Sequence, residues 1–343
     1  MIVMTEPVPA DRKRPSIYDV AARAGVSHMT VSRVLNGAES IRPETKRRVQ
    51  LAIDELNYSP SAAARSLATR RAMRIGVLLD TPAEFGPNST LLTLEEAARE
   101  HGYTVATFSH TGADDDILTM GVAELQRQGI DALCVVAPRD GTPRALQESA
   151  LDIPVVLLGD GSDVDGLISI DADQEQGATL AVEHLQSLGH RSIVHLTGAP
   201  DSLAARARRR AWQAALERAG VEPRWVEGDW SSDAGYRLGV SAELMGDASA
   251  VFAGNDRMAL GLVHGLAARG RSVPHEVSVV GFDDMPEAAH FLPPLTTVRQ
   301  DFSGLAHAAV AAILGALEGE ETHPARIPAT LVVRESTAPF TAR

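Results

Sequence analysis

The chain holds one cysteine, few aromatic residues and no long apolar run. Cys134 is the only cysteine among 343 residues, so no internal disulfide can form, which suits a reducing compartment. No apolar run approaches the roughly 18 residues that cross a membrane, and the N-terminus lacks the apolar core of a signal peptide. We therefore expect a cytoplasmic protein that makes no membrane contact.

Enzyme and metal-site motifs are missing as well. The sequence contains no Walker A loop, no G-x-G-x-x-G after a strand pattern and no H-E-x-x-H. Its eleven histidines do not cluster with cysteine or carboxylates at the spacing of metal ligands. His184 and His195 are expected to be structural, and Cys134 to be an inert core residue. The sequence predicts neither an enzyme nor a cofactor.

Negative charge dominates the chain, but not its N-terminus. The net charge is −13 at pH 7, yet residues 1–72 carry +5 and the remainder −18. Length predicts two or three domains, and the charge distribution indicates that only the N-terminal one meets phosphates. Residues 1–15, rich in proline and charge, are predicted to be a flexible tail.

Residues 16–60 have the apolar spacing of three short helices. Apolar residues recur at helical spacing from Ile17 to Ala24, Gly25 suits the end of that helix, and Ser27 suits the cap of the next. The buried face of the second helix is predicted to consist of Val31, Val34 and Leu35. A third helix begins near Pro43, and its inner stripe is expected to be Val49, Ala52, Ile53 and Leu56.

The second helix presents an outward face suited to reading DNA. Its residues are His28, Met29, Thr30, Ser32 and Arg33. The N-terminal end of such a recognition helix points at base edges in the major groove, where arginine can donate two bonds to guanine. The plainer alternative is a three-helix packing unit with a solvated polar face.

Residues 61–72 are predicted to be a hinge. The stretch SAAARSLA, residues 61–68, is about two turns long and marginal as an isolated helix. Arg65 suits a phosphate contact, and Leu67 suits insertion into a minor-groove base step. On these residues alone, a plain interdomain linker remains the alternative.

From residue 73 onward, strand-like runs alternate with amphipathic helical stretches. The predicted strands are 75–79, 104–108, 132–136, 155–158, 192–196, 250–253 and 277–281. The predicted helices include 91–101, 174–188, 204–219, 256–269 and 302–318. This alternation predicts parallel sheets covered by helices on both faces, arranged as two Rossmann-like halves with a ligand cleft between them.

Polar residues follow several of these strands. The pairs Asn255-Asp256 and Asp283-Asp284 follow runs 250–253 and 277–281, and Gln300-Asp301 follows a further apolar run, 295–298. These residues are expected to converge on the cleft, although helix capping would also explain them. Carboxylates and amides pair with sugar hydroxyls. Arg206 and Arg208 lie in the run ARARRRAW, in which one arginine can add a bidentate contact. Trp230 offers a flat face for a sugar ring.

Residues 19–36 contain three segments in a fixed order, DVA, AGVS and TVSRVLN. They resemble the lactose/galactose repressor (LacI/GalR) family of bacterial transcription regulators. The resemblance extends along the chain to about residue 335. The resemblance implies a helix-turn-helix head and a periplasmic-binding-protein-like sensor of two Rossmann-like subdomains, residues 73–171 with 299–329, and 172–298 with 330–343. It implies DNA contacts at Tyr18, Thr30, Ser32, Arg33 and Asn36, operator selection by His28 and Met29, and minor-groove insertion of Leu67.

The same resemblance implies a sugar site. The segments FAGNDRMALG, VSVVGFDD and PPLTTVRQDF look like effector-domain signatures of the family. The implied effector contacts are Arg208, Trp230, Asn255, Asp283, Gln300 and Phe302, facing a wall of Glu84, Phe85 and Pro87. The segments GDW (residues 228–230) and QDF (residues 300–302) are most like those of lactose-responsive members of the family, which favours a β-galactoside or related β-glycoside. At Gly159-Asp160 the chain departs from those members.

We therefore expect a homodimeric repressor that a small sugar releases from a palindromic operator. The residues after Glu335 contain no leucine heptad, so no tetramer-forming helix is expected. Three alternatives remain open: a regulator with a purine or phosphorylated carrier protein as corepressor, a sugar solute-binding protein, and an enzyme fused to a DNA-binding head.

Overall fold

The computed structural model describes residues 15–35, 38, 41–58, 71–80, 84–110, 115–149, 151–159 and 166–341. The chain divides into two compact units, Met1–Ala72 and Met73–Arg343. Along the described residues, no helix is long and apolar enough to cross a membrane.

The N-terminal unit contains the three helices expected of it. They are α1 (Ile17–Ala24), α2 (His28–Leu35) and α3 (Pro43–Leu56). The turn between α1 and α2 is defined by Gly25, whose φ of 64° lies in the left-handed region that glycine adopts without strain. Ser27 Oγ then accepts a hydrogen bond of 3.2 Å from the Thr30 amide and caps α2.

A small apolar core joins these helices. Val20, Val31 and Val49, one from each helix, are fully buried against one another. Leu35 does not join them, contrary to the prediction, because 36% of its surface is exposed at the last residue of α2. The outward face of α2 is therefore more apolar at its C-terminal end than the sequence pattern predicts.

The second unit is built on two six-stranded sheets. The first has the strand order β11-β5-β4-β3-β1-β2 and the second β12-β10-β9-β8-β6-β7. Only the β10–β12 pairing is antiparallel among the strand pairs described. The strands are β1 (Arg74–Asp80), β2 (Thr104–His110), β3 (Ala132–Val136), β4 (Val155–Leu158), β5 (Ile168–Ala172), β6 (Ile193–Leu196), β7 (Arg224–Val226), β8 (Ala250–Ala253), β9 (Ser278–Asp283), β10 (Thr296–Arg299), β11 (Ala325–Ile327) and β12 (Thr330–Val332).

Helices cover both faces of each sheet. Along β1, Ile75 and Val77 face one apolar core and Leu78 faces another, so the strand is buried on both sides. The helices are α4 (Phe85–Glu100), α5 (Asp115–Arg127), α6 (Thr142–Glu148), α7 (Gln174–Ser187), α8 (Leu203–Arg218), α9 (Ser232–Val240), α10 (Ala242–Met245), α11 (Asp256–Ala268), a 3-10 turn (Pro286–His290) and α12 (Phe302–Glu318). Helix α12 packs on the first sheet although its sequence follows the second.

The predicted fold class, a helical helix-turn-helix head followed by two α/β subdomains, is confirmed. The sequence pattern missed β5, β7, β11 and β12, and it began α4 six residues too late. Strand β5 contains two polar residues, Ser169 and Asp171, that the fold nevertheless buries. Strands β7, β11 and β12 are three residues each, too short for an alternating pattern to be visible.

Candidate ligand cleft and DNA-binding surface

A cleft opens at the carboxyl ends of the strands of both sheets. Its cavity volume is about 120 Å³. The first sheet contributes Val136, Leu158 and Asp171, and the second contributes residues at or just after the ends of β8, β9 and β10. In parallel α/β sheets this is the edge where ligands bind.

A chain of hydrogen bonds orders one wall of the cleft. The Asp283 carboxylate accepts a bond of 2.7 Å from Gln300 Nε2, and Gln300 Oε1 accepts one of 2.9 Å from Gln174 Nε2. Gln174 Oε1 in turn accepts a bond of 2.8 Å from Arg208 Nε. All four side chains are buried. Because each amide is fixed by its neighbour, the wall presents its donors and acceptors in one arrangement.

Arg208 is held from several directions. Its guanidinium donates to the Gly254 carbonyl, lies 3.7 Å from the ring centre of Phe282, and places Nη2 3.9 Å from Asp283. It also lies 5.5 Å from the Trp230 ring centre. A planar cation held between rings and a carboxylate is suited to bidentate contacts with neighbouring hydroxyls.

Asn255 has both of the roles considered for it from sequence. Its Oδ1 accepts from the Met258 amide at 2.8 Å and caps α11. Its Nδ2 donates to the Trp230 carbonyl at 3.2 Å, and the residue also lines the cleft. Trp230 has a φ of 68°, so this contact helps to hold a left-handed backbone at the residue that forms the aromatic wall.

The facing wall comes from the start of α4 and from α12. Glu84, Gly86, Pro87 and Phe302 line the cleft there. Phe85 is not a lining residue, and its ring instead packs edge to face on Phe302 with 5.8 Å between ring centres. Phe85 therefore supports the wall through Phe302.

Burial raises the pKa of two carboxyl groups in the cleft. The pKa of Glu84 rises to about 7, because the group is desolvated and lies near the negative charge of Asp283. Burial raises the pKa of Asp283 to about 6, opposed by the charge of Arg208 and by the Gln300 hydrogen bond. Desolvation also raises the pKa of Asp256, which accepts from Thr297 Oγ1 at 2.5 Å behind the wall. The cleft thus places several carboxyl groups near Arg208.

Sequence reasoning missed Asp171 and Gln174 as cleft residues. Asp171 is the next-to-last residue of β5, which the sequence pattern did not predict, and Gln174 opens α7 next to its capping residue Asp173. An apolar run followed by D-A-D-Q was the available signal, since it has the form of a strand end leading to a helix cap.

The predicted DNA-reading residues form an exposed face of the N-terminal unit. Tyr18 and Met29 are 65% and 64% exposed, and the Tyr18 ring lies 5.1 Å from the ring of His28. Arg33 is exposed, whereas Thr30 and Ser32 are half-buried. Thr30 Oγ1 lies 2.9 Å from the capping hydroxyl of Ser27. Asn36, Arg65 and Leu67 lie outside the described residues.

Two family models match the chain. Residues 16–61 match the bacterial regulatory proteins of the lacI family, and residues 182–337 match a periplasmic binding protein-like domain. The chain is 34% identical over 331 residues to the lactose operon repressor of Escherichia coli (strain K12), covering 95% of this chain and 91% of that protein.

Solved structures agree with this assignment. A lac repressor dimer bound to operator and the anti-inducer ONPF is 32% identical, with a TM-score of 0.86 over 95% of this chain and 100% of that one. A complex of the transcriptional regulator CelR with cellobiose is 31% identical, with a TM-score of 0.69 over 94% of this chain and 100% of that one. These relatives are transcriptional regulators and not enzymes. The chain belongs to the lacI family of bacterial regulatory proteins and is a DNA-binding transcriptional repressor.

Proposed function

We propose that this chain represses sugar-utilisation genes in the cytoplasm, and that a small sugar releases it from a palindromic operator. The effector class that fits best is a β-galactoside or another β-glycoside. The observation that carries this proposal is the buried relay Arg208–Gln174–Gln300–Asp283 at the cleft, flanked by the ring of Trp230.

This relay suits a neutral polyhydroxylated ligand. A sugar hydroxyl both donates and accepts, so it can pair with the Asp283 carboxylate and with Arg208 at once. Trp230 and Phe302 supply apolar faces for the ring, and Glu84 and Pro87 close the opposite side. Two relatives are consistent with this class, since one is a lactose operon repressor and another forms a complex with cellobiose.

For DNA, we assign base reading to the exposed face of α2. His28 and Met29 select the operator, Arg33 reads a base pair, and Tyr18, Thr30, Ser32 and Asn36 complete the contacts. Residues 61–72 form the hinge, in which Arg65 meets phosphate and Leu67 enters a minor-groove step. Two heads of a homodimer match the two halves of a palindrome.

Sugar in the cleft acts by population shift. It favours the arrangement of the subdomains in which the cleft is closed around it, and that arrangement disfavours the hinge conformation that binds the operator. The subdomains in this proposal are residues 73–171 with 299–329, and 172–298 with 330–343.

Calorimetry with lactose, other β-galactosides, the β-glucoside cellobiose and the monosaccharide galactose tests the effector class. We expect at least one β-glycoside to bind and to release operator DNA in a gel shift. Binding of a purine or of a phosphorylated carrier protein, with tighter operator binding as the result, would replace the inducer by a corepressor. The assignment to repressors would survive that outcome, and the β-glycoside assignment would not.

A further inference from the structure

Two loops meet across the cleft, one from each sheet. Residues 138–140 follow β3 of the first sheet, and residues 201–206 follow β6 of the second and enter α8. We call these two segments the clasp. Arg139 forms an ion pair with Asp201, and Asp140 forms one with Arg206. The charges are crossed, since each loop contributes one cation and one anion.

Backbone hydrogen bonds reinforce the clasp. The Asp140 amide donates to the Asp201 carbonyl at 2.9 Å, and the Leu203 amide donates to the Pro138 carbonyl at 3.3 Å. Arg139 and Ser202 form an isolated antiparallel bridge between the loops. The Arg139 amide is anchored in its own loop by Thr142 Oγ1 at 3.0 Å. The two subdomains are therefore tied together by a short sheet-like contact and two ion pairs.

The clasp belongs to the edge of the cleft. Pro138, Arg139, Asp201 and Ser202 are among the residues that line it. Ser202 also caps α8, since its hydroxyl accepts from the Ala205 amide at 3.3 Å. Because α8 carries Arg208, opening of the clasp would remove the Leu203–Pro138 hydrogen bond from the first turn of the helix that presents the arginine to the ligand.

We propose that the clasp is an electrostatic latch that controls access to the cleft. Ligand enters and leaves when the two crossed ion pairs separate, and their formation restricts access at this edge of the cleft. The side chains of Arg139 and Asp201 are 21% and 35% exposed, and those of Arg206 and Asp140 are 40% and 60% exposed. Pairs that contact solvent to this extent are weakened by salt, so the latch opens more often as ionic strength rises.

Acrylamide quenching of Trp230 measures access to the cleft without any ligand. Trp225 is replaced by phenylalanine because it is 42% exposed, whereas Trp212 is fully buried and contributes little. In this background, Arg139→Asp places two carboxylates opposite each other. We expect the quenching constant of the cleft tryptophan to rise about twofold to threefold, the size of effect expected from one part-exposed ion pair.

The double exchange Arg139→Asp with Asp201→Arg should return quenching to the background value. Arg144→Asp is the matched control, because it breaks a pair with Glu148 within α6 that spans no cleft. Unchanged quenching in the Arg139 variant would overturn the latch, and so would a folded double exchange that fails to restore it.

Salt gives a second readout that does not depend on how one variant folds. Quenching in the background protein should increase between about 20 and about 500 mM NaCl. The matched variant removes all four charges through Arg139→Gln, Asp140→Asn, Asp201→Asn and Arg206→Gln. Its quenching constant should be high at low salt and should not change as salt is added. Equal salt sensitivity in the two proteins would contradict the latch. The latch rests on the proposed cleft, but this experiment does not depend on which effector binds there.

Discussion

Replacing Asp283 by asparagine should stabilise the protein while weakening effector binding. The carboxyl group is 7% exposed, and burial raises its pKa from 3.8 to about 6. That rise corresponds to about 3 kcal/mol by which the folded protein disfavours the charged form. Asparagine has nearly the same shape and no charge. It also tolerates positive φ better than alanine would, which matters because φ is 107° at this residue.

The pH dependence follows from the direction of the pKa change. Below pH 3.8 the group is protonated in both states, so the charge costs nothing. Between the unfolded value of 3.8 and the folded value of about 6, the unfolded chain releases its proton first, and stability falls as pH rises. Above the pKa of the folded protein, the full free-energy cost of the buried charge is present. The stability advantage of Asp283→Asn should therefore grow across this interval and level off above it.

Urea denaturation of the two proteins at a series of pH values measures this difference. At about pH 8 the variant should be more stable by about 3 kcal/mol, while losing about tenfold in sugar affinity, because a neutral acceptor binds hydroxyls less strongly than a carboxylate does. Arg208 keeps its bonds to Gln174 and to the Gly254 carbonyl. A variant that is less stable at this pH, or a difference that does not change with pH, would refute the reasoning.

Further changes test the other parts of the molecule. Arg33→Ala should cost about 1–3 kcal/mol of affinity for operator but not for random DNA, and equal losses in gel shifts on both would contradict base reading. Exchange of His28 and Met29 should change which operator is preferred in a selection from random sequences, and an unchanged preference would remove these residues from operator choice. Leu67→Ala should reduce DNA bending in a circular-permutation assay without changing sugar affinity, and an equal bend angle would exclude the wedge. Gly235→Ala should destabilise the second unit by about 3 kcal/mol, because its Cβ would lie 1.9 Å from the Met258 carbonyl oxygen. Gly315→Ala, within α12, is the control and should be neutral or slightly stabilising in thermal denaturation.

Local sequence signals were sufficient to predict helix bounds where capping residues mark the start of a helix. Helix α12 was predicted with its observed bounds, and α7 within one residue, because Asp301 and Asp173 accept from the amides of Gly304 and Gln176. The start of α4 was missed because Gly86 and Pro87 have the composition of a loop. Proline is nevertheless tolerated in a first turn, where its missing amide would have no partner within the helix.

The cleft was only partly predictable for a different reason. Asn255, Asp283 and Gln300 lie at or just after strand ends, so the rule for parallel sheets brings them to one edge. Gln174 is 126 residues from Gln300 in sequence and is placed beside it only by the crossing of α7 over the second sheet. The clasp was not predicted either, because its ion pairs join residues of two different subdomains, such as Arg139 and Asp201. Such pairings depend on the relative position of two sheets, which no local pattern specifies.

Operator release by sugar tests the central claim most directly. Purified protein would first select its binding site from genomic fragments, and fluorescence anisotropy of that labelled DNA would then be followed during titration with each β-glycoside. The account predicts that at least one β-glycoside abolishes specific operator binding by the wild type. The Asp283→Asn variant should remain bound to the operator until about tenfold more sugar is added. Binding that no sugar affects, or that the variant loses at the same sugar concentration as the wild type, would contradict it.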